Sequence, residues 1–504
     1  MPSLSSILDG PFDAILSDYL KTAAVPGMSL VVLQRGPNVN SPETAFRSYG
    51  IAYHDQPVTP EIRFPLCSLT KHIMALALLR LLYEHGMSQD TPVRDVLPEF
   101  RLLNEADGKA IVTFAHILSH TSGQGDSDGR WSMMKATDVS LYDYLAAQPC
   151  KSAPGTRFSY SNIMYDLTVP AIEALSGESV MAHLAKVFFQ LLGMDKTTFE
   201  GEGGDGAAEG HYRGEGSDID GDEDQLPAPN PHRLAHLGSG RLISCAKDMA
   251  KWLAYLPTDP FYHLIISPRS SVPGGNPDRP GNTIIDAGEQ YGFGLYTGSC
   301  QGVPFIEQWG AMGGFAGVLT ILPSLDLSFV CLSNSWDGLE VGALVSRLLV
   351  NKVMGTDPAP CVKLVTQERR QRMRSEMADF APVTGLEPAE STRLLGTYIT
   401  PGVGEIHFDE SSNVAIRPQC TNFPWPPWNH GDIKPVATYL GDGQYAACME
   451  YKQWRRDGDD SPVEVRYCSP FRLEKQAGSR ALSASDCYFF PSACTLRPKG
   501  AQVG

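Results

Sequence analysis

The stretch Phe64-Pro65-Leu66-Cys67-Ser68-Leu69-Thr70-Lys71-His72 decides the reading of this chain. Ser68 and Lys71 stand three residues apart at the start of an apolar run, which puts a hydroxyl and an amine on one face of a helix, a nucleophile beside a base. The run continues from Ile73 through Leu82 and Tyr83 to Gly86, apolar nearly all round, and predicts a buried central helix that stops at a glycine. Ser-x-x-Lys recurs at Ser244-Cys245-Ala246-Lys247, so spacing alone does not choose between the copies. The second copy precedes Lys247-Asp248-Met249-Ala250-Lys251-Trp252-Leu253, an amphipathic segment in front of which a serine reads as a helix N-cap. Ser68 is the candidate nucleophile and Ser244 a decoy.

A hydroxyl is a poor nucleophile at neutral pH, so Ser68 needs a base, a second proton relay and donors for the oxyanion that forms on attack. Phe158-Ser159-Tyr160-Ser161-Asn162 supplies a phenol and a carboxamide two residues apart, behind a Pro154-Gly155 turn. Cys67 reads as a small apolar residue beside the helix start, and His72 and His120 as structural.

The 504 residues, 42% hydrophobic, suffice for a large core and more than one domain. Lys plus Arg number 41 against 57 Asp plus Glu, and the net charge of -16 disfavours nucleic acid and anionic membranes as partners. Met1-Pro2-Ser3-Leu4-Ser5-Ser6-Ile7 has neither a basic stretch nor a continuous apolar one, and no later run is long enough to span a bilayer, which predicts a soluble, cytoplasmic protein. The 11 cysteines lack paired short spacings and suit reduced thiols; no zinc-type cluster appears, and no metal or cofactor is expected.

An opening helix over residues 12–22, strands at 28–33 and 46–52, a helical half from 68 to about 253, strands at 305–309, 317–322 and 327–332 and a helix at 344–354 predict a sheet flanked by helices. The Gly- and Asp-rich residues 200–224 read as a solvated acidic loop, because Glu223 stands where a calcium loop beginning at Asp218 needs glycine. Residues 356–388 read as a linker carrying one helix, whose Arg369-Arg370-Gln371-Arg372-Met373-Arg374 is a solvated face or, as the minority reading, a docking patch for an acidic carrier domain. Short alternating runs such as Glu405-Ile406-His407-Phe408 and Cys448-Met449-Glu450-Tyr451 then mark an all-β domain over residues 389–504.

In their order, Val25-Pro26-Gly27-Met28-Ser29-Leu30, Ser68-Leu69-Thr70-Lys71, His120-Thr121-Ser122-Gly123, Pro154 to Asn162 and Leu192-Gly193-Met194 resemble the serine β-lactamase and penicillin-binding protein superfamily, in its class C branch of esterases, D-amino-acid peptidases and acyltransferases. The resemblance covers roughly residues 12–354 and implies an α/β catalytic domain over 1–355. It implies Ser68 as the acylated residue, Lys71 as its proton acceptor, Tyr160 as base for the second step and Asn162 as a ligand to the substrate. The third family motif, usually Lys-Thr-Gly or His-x-Gly, falls on Gln308-Trp309-Gly310, followed by Ala311. Without that cation little holds a substrate carboxylate, so a β-lactamase is disfavoured. Gln308, Trp309, Gly310, Ala311 and Phe315 then line the substrate site, with Trp309 and Phe315 as its walls, and the oxyanion hole is made by the backbone N–H groups of Ser68 and Ala311, or of Met312 after a one-residue shift. The C-terminal β region, with Leu395-Gly396-Thr397-Tyr398, looks like the lipocalin-like appendage of some members. The expectation is a serine hydrolase acting on a small-molecule or secondary-metabolite ester or amide. An acyltransferase that passes the acyl group to an alcohol or amine is the alternative, and a catalytically weak ligand-binding relative a third.

Overall fold

The computed structural model describes residues 2–36, 42–102, 111–124, 140–146, 148, 150–199, 206–213, 225–227, 237–272, 289–312 and 314–379, together with the strands of residues 396–498 as backbone. The acidic core at residues 218–223 lies outside them, as do Pro382, Pro388 and the side chains of Arg372 and Arg374. The chain forms two compact units, one of Met1–Phe100, Asp107–Gly123 and Ser152–Arg372, the other of Arg101–Ala106, Gln124–Lys151 and Met373–Gly504.

In the first unit a nine-stranded antiparallel sheet runs in the order Gln56–Pro57, Glu43–Tyr53, Gly27–Gln34, Leu327–Ser333, Phe315–Leu322, Val303–Met312, Tyr296–Cys300, Gln290–Tyr291 and Ser270–Ser271. Its three central strands, Gly27–Gln34, Leu327–Ser333 and Phe315–Leu322, are buried along their whole length, which is why they read as continuous apolar runs. One face packs on the helices Gly10–Thr22 and Gly338–Met354 through Phe12, Leu16, Val318, Phe329, Leu344 and Leu348. The register Gly310↔Gly317 and Ala311↔Ala316 places Gln308, Gly310 and Met312 on the opposite face.

On that face lies the turn that carries the nucleophile. The helix Thr70–Glu84 is buried from Thr70 to Leu79, and its chain reverses at Gly86, whose φ of +71° suits a residue without a side chain. A single 3-10 turn, Cys67–Leu69, precedes it. No helix among the described residues is long and apolar enough to cross a membrane.

Two sequence expectations change. Ser244 is not a helix cap: it lies in the strand Leu242–Cys245, fully buried, its hydroxyl 2.7 Å from that of Thr197, and Cys245 precedes the helix Ala246–Tyr255. Arg369, on the helix Ala359–Asp379 that the linker was expected to carry, is not part of a solvated face; it is 1% exposed, with its Nε 4.0 Å from Asp337. In the second unit eight strands from Gly396–Thr400 to Cys494–Pro498 close into an antiparallel barrel, the last pairing with the first at Tyr398↔Pro498.

Candidate active site

Between Arg63 and Leu79 every residue is buried except Ser68. The exception has a local cause. Cys67 has a φ of +50°, a left-handed backbone uncommon for a residue with a side chain, and its buried thiol turns back toward the Pro65 carbonyl. The kink sends the next residue, Ser68, out of the core at the head of the helix.

Lys71, one turn further on, is fully buried, and its amine reaches three acceptors. Nζ lies 2.9 Å from Ser68 Oγ, 2.6 Å from Asn162 Oδ1 and 2.9 Å from the Ser239 carbonyl. Both carbonyl-type oxygens can only accept, so the lysine donates to them. The third direction of the nitrogen faces the Ser68 hydroxyl, so a proton can pass directly between the two groups. That is the geometry of a base poised to take a proton.

Each partner is held in turn. Asn162 opens the short helix Asn162–Asp166, and Asp166 at its end accepts the Gly238 N–H at 3.0 Å and the Ser239 hydroxyl at 3.3 Å. The Ser239 carbonyl is thereby fixed toward Lys71. The aromatic rings of Tyr160 and Tyr165 pack on the amine, their centroids 4.9 and 5.6 Å from Nζ. Tyr160 is half-buried in a cluster with His120, Phe158, Tyr291, Tyr296 and Trp309.

The third-motif strand meets the nucleophile backbone to backbone. A Cβ on Gly310 would stand 2.3 Å from the Ser68 nitrogen, so only glycine lets the strand approach. Gln308 is fully buried and its amide donates to the Ser68 carbonyl at 3.2 Å; the residue grips the nucleophile's turn, where the sequence suggested a pocket lining. Trp309 lies on the other face of the strand, stacked on Tyr296 at 6.0 Å and 12°. Phe315 is 2% exposed and forms packing rather than an open wall. From Gln308 to Met312 the strand has neighbours only toward Phe315–Leu322 among the pairings described, because the pairing with Tyr296–Cys300 ends at Glu307. This leaves the edge at Ala311 without a strand partner beside Ser68.

The structure thus brings Ser68, Lys71, Tyr160, Asn162, Gln308 and Gly310 together. Sequence reasoning missed Ser239, Asp166 and the Tyr160-facing role of His120. Only the Gly238-Ser239-Gly240 triplet hinted at a close approach, and it has no motif of its own. His72 is buried and takes the Trp252 indole N–H on Nε2 at 2.8 Å, as a structural residue does.

Comparison with known proteins places this geometry. The chain is 29% identical over 378 residues to the unguisins hydrolase ungD' of Aspergillus campestris, an overlap that covers 70% of this chain but 66% of that protein. It is 26% identical over 380 residues to esterase EstB of Burkholderia gladioli, covering 67% of this chain and 92% of that one. The octameric penicillin-binding protein homologue from Pyrococcus abyssi shares the fold, with a TM-score of 0.57 at 20% identity over 97% of this chain and 99% of that one. The model of the Beta-lactamase family matches residues 12–352, and with the serine and lysine on one turn of a buried helix beside the sheet, the chain belongs to that family.

Proposed function

We propose that the protein is a serine hydrolase that cleaves esters or amides of a small-molecule substrate through an acyl group carried on Ser68. The observation that carries this reading is the orientation of Lys71, whose two committed N–H bonds leave its third direction for the Ser68 hydroxyl at 2.9 Å. In the first half-reaction Ser68 Oγ bonds to the substrate carbonyl carbon, its proton passes to Lys71, and the proton leaves on the departing alcohol or amine. In the second, water bonds to the acyl carbon, its proton moves to the Tyr160 oxygen as the phenol passes its own proton to the lysine, and that proton returns to Ser68 Oγ as the acyl–oxygen bond breaks and the acid leaves. The backbone N–H groups of Ser68 and Ala311 take the oxyanion role.

Gln308 occupies the place of the family's cation as a neutral amide, so substrates without a carboxylate near the scissile bond are favoured and β-lactams are poor substrates. An esterase and a hydrolase among the relatives rank hydrolysis first. Transfer to an alcohol or amine is the second reading, favoured by the stack of Trp309 on Tyr296 in the same cluster as Tyr160, an apolar surface suited to an acceptor other than water.

Intact-mass measurement after mixing with a short aryl ester tests the first reading. One acyl group should appear on a peptide containing Ser68, and Ser68→Ala should lose both the adduct and turnover by at least about a thousandfold. An adduct that survives in Ser68→Ala or maps to Cys67 refutes it. Chasing the acyl-enzyme with millimolar alcohols and amines ranks the readings, since a transferase diverts the acyl group and a hydrolase releases acid at an unchanged rate.

A further inference from the structure

One buried residue outside the reacting set grips Tyr160 from both sides. The His120 carbonyl accepts the Ser159 N–H at 2.8 Å, and His120 Nδ1 accepts the Ser161 N–H at 3.1 Å. Its ring lies 4.2 Å from the Tyr160 ring, tilted by 34°. The residue before the phenol therefore rests on the His120 backbone, and the residue after it and the phenol's own face on the His120 ring. His120 is 1% exposed and has a φ of +57°, a backbone that persists in a residue with a side chain only where its surroundings over-determine it.

Hydrogen-bond direction fixes the protons around it. Because the Ser161 N–H can only donate, Nδ1 is an acceptor, and the neutral ring carries its proton on Nε2. That Nε2–H faces the Tyr291 hydroxyl at 3.3 Å. The neighbouring Tyr165 hydroxyl donates to the Leu118 carbonyl at 2.5 Å, an oxygen that can only accept. The imidazole thus has one order of donors, accepting from Ser161 on Nδ1 and donating from Nε2 to Tyr291. Burial and the nearby Lys71 charge both hold the imidazole well below the usual histidine range, so a second proton does not enter this order.

We infer that His120 is a positioning residue for Tyr160, a one-tautomer anchor that sets the phenol against Lys71 without itself moving a proton. Both its nitrogens are committed, to Ser161 and to Tyr291, and the effect assigned to it is the placing of the Tyr160 phenol. The inference rests on the reading of Tyr160 as the proton relay of the second half-reaction.

A double-mutant cycle of His120→Gln and Tyr160→Phe, read by steady-state hydrolysis of an aryl ester and by the lifetime of the acyl-enzyme in intact mass, tests it. Tyr160→Phe should lower kcat by about a hundredfold or more and prolong the acyl-enzyme. His120→Gln should lower kcat by about tenfold or more with KM little changed, and should cost less than about twofold further in the Tyr160→Phe background. Losses that multiply in the double variant overturn the inference, as does a His120→Gln enzyme with wild-type kcat. If Tyr160→Phe alone keeps full activity, it is the reading of Tyr160 that fails. His120→Asn, which keeps an acceptor for the Ser161 N–H, should recover part of the loss; equal loss in the two variants counts against the anchor. Should the His120 variants not fold, Tyr291→Phe removes only the partner of Nε2–H and enters the same cycle, where a loss that multiplies with Tyr160→Phe again overturns the inference.

Discussion

Gly310 has no room for a methyl group. The atoms nearest its missing side chain, at 2.3 and 3.0 Å, include the Ser68 nitrogen and Cα, and backbone cannot turn aside as a flexible side chain can. Gly310→Ala must push the third-motif strand away from the nucleophile, at a cost of about 1–3 kcal/mol in stability and, because small displacements of reacting groups are expensive, about a hundredfold in kcat. Denaturant unfolding and ester hydrolysis measure the two effects separately, and a variant with normal kcat would show that the strand and Ser68 are not mechanically tied. At this scale the contact of Ser68 with Lys71 was legible in their spacing, and Nζ lies 2.9 Å from Oγ. Asn162 was half legible, since its carboxamide was read as a substrate ligand while its oxygen in fact holds Lys71 at 2.6 Å. Ser239 was invisible because it contributes a backbone carbonyl, a group every residue owns.

The helix Thr70–Glu84 carries a second buried histidine whose consequence is stability. Desolvation pulls His72 down from the ordinary 6.5 to about 3, with a backbone contact to Leu69 opposing the shift only in part. The folded-state value is depressed, so the unfolded chain binds a proton that the folded helix refuses. The contribution of His72 to stability is complete above about pH 6.5 and is lost as pH falls toward 3, at up to about 1.4 kcal/mol per pH unit. His72→Gln, which can still accept the Trp252 N–H, should flatten the decline in unfolding free energy between pH 6 and 4; parallel curves for the two proteins would remove His72 as its cause. The helix itself was readable from its all-round apolar run. The strand Leu242–Cys245 was not, because four residues give period-two patterning too little length, and the charged residues after it drew Ser244 into the following helix.

The molecule as a whole is strongly acidic, at -16, and that field acts on any charged substrate before it reaches Ser68. A neutral aryl ester should be preferred over its carboxylated analogue, and the preference should shrink several-fold between about 10 mM and 500 mM salt as screening shortens the field. A ratio indifferent to salt would assign the discrimination to Gln308 alone. The helix expected within residues 356–388 forms as Ala359–Asp379, but Arg369, read as part of a solvated face, is buried with its Nε 4.0 Å from Asp337, a pairing that hydropathy cannot register. The barrel's alternating strands, by contrast, announced themselves. The strand register carries a last consequence, one of timing. Residues 28–34 pair with 327–333, and the groups around Ser68 come from residues 67–71, 160–162, 239 and 308–311, so the nucleophile is made early and its surroundings late. Such long-range closures are slow to form. A nascent chain that has not yet emerged to Ser333 carries the serine as an inert hydroxyl, and on refolding from denaturant esterase activity should return with the slowest phase, well after the helical signal, so that the protein reaches completion before it can cut.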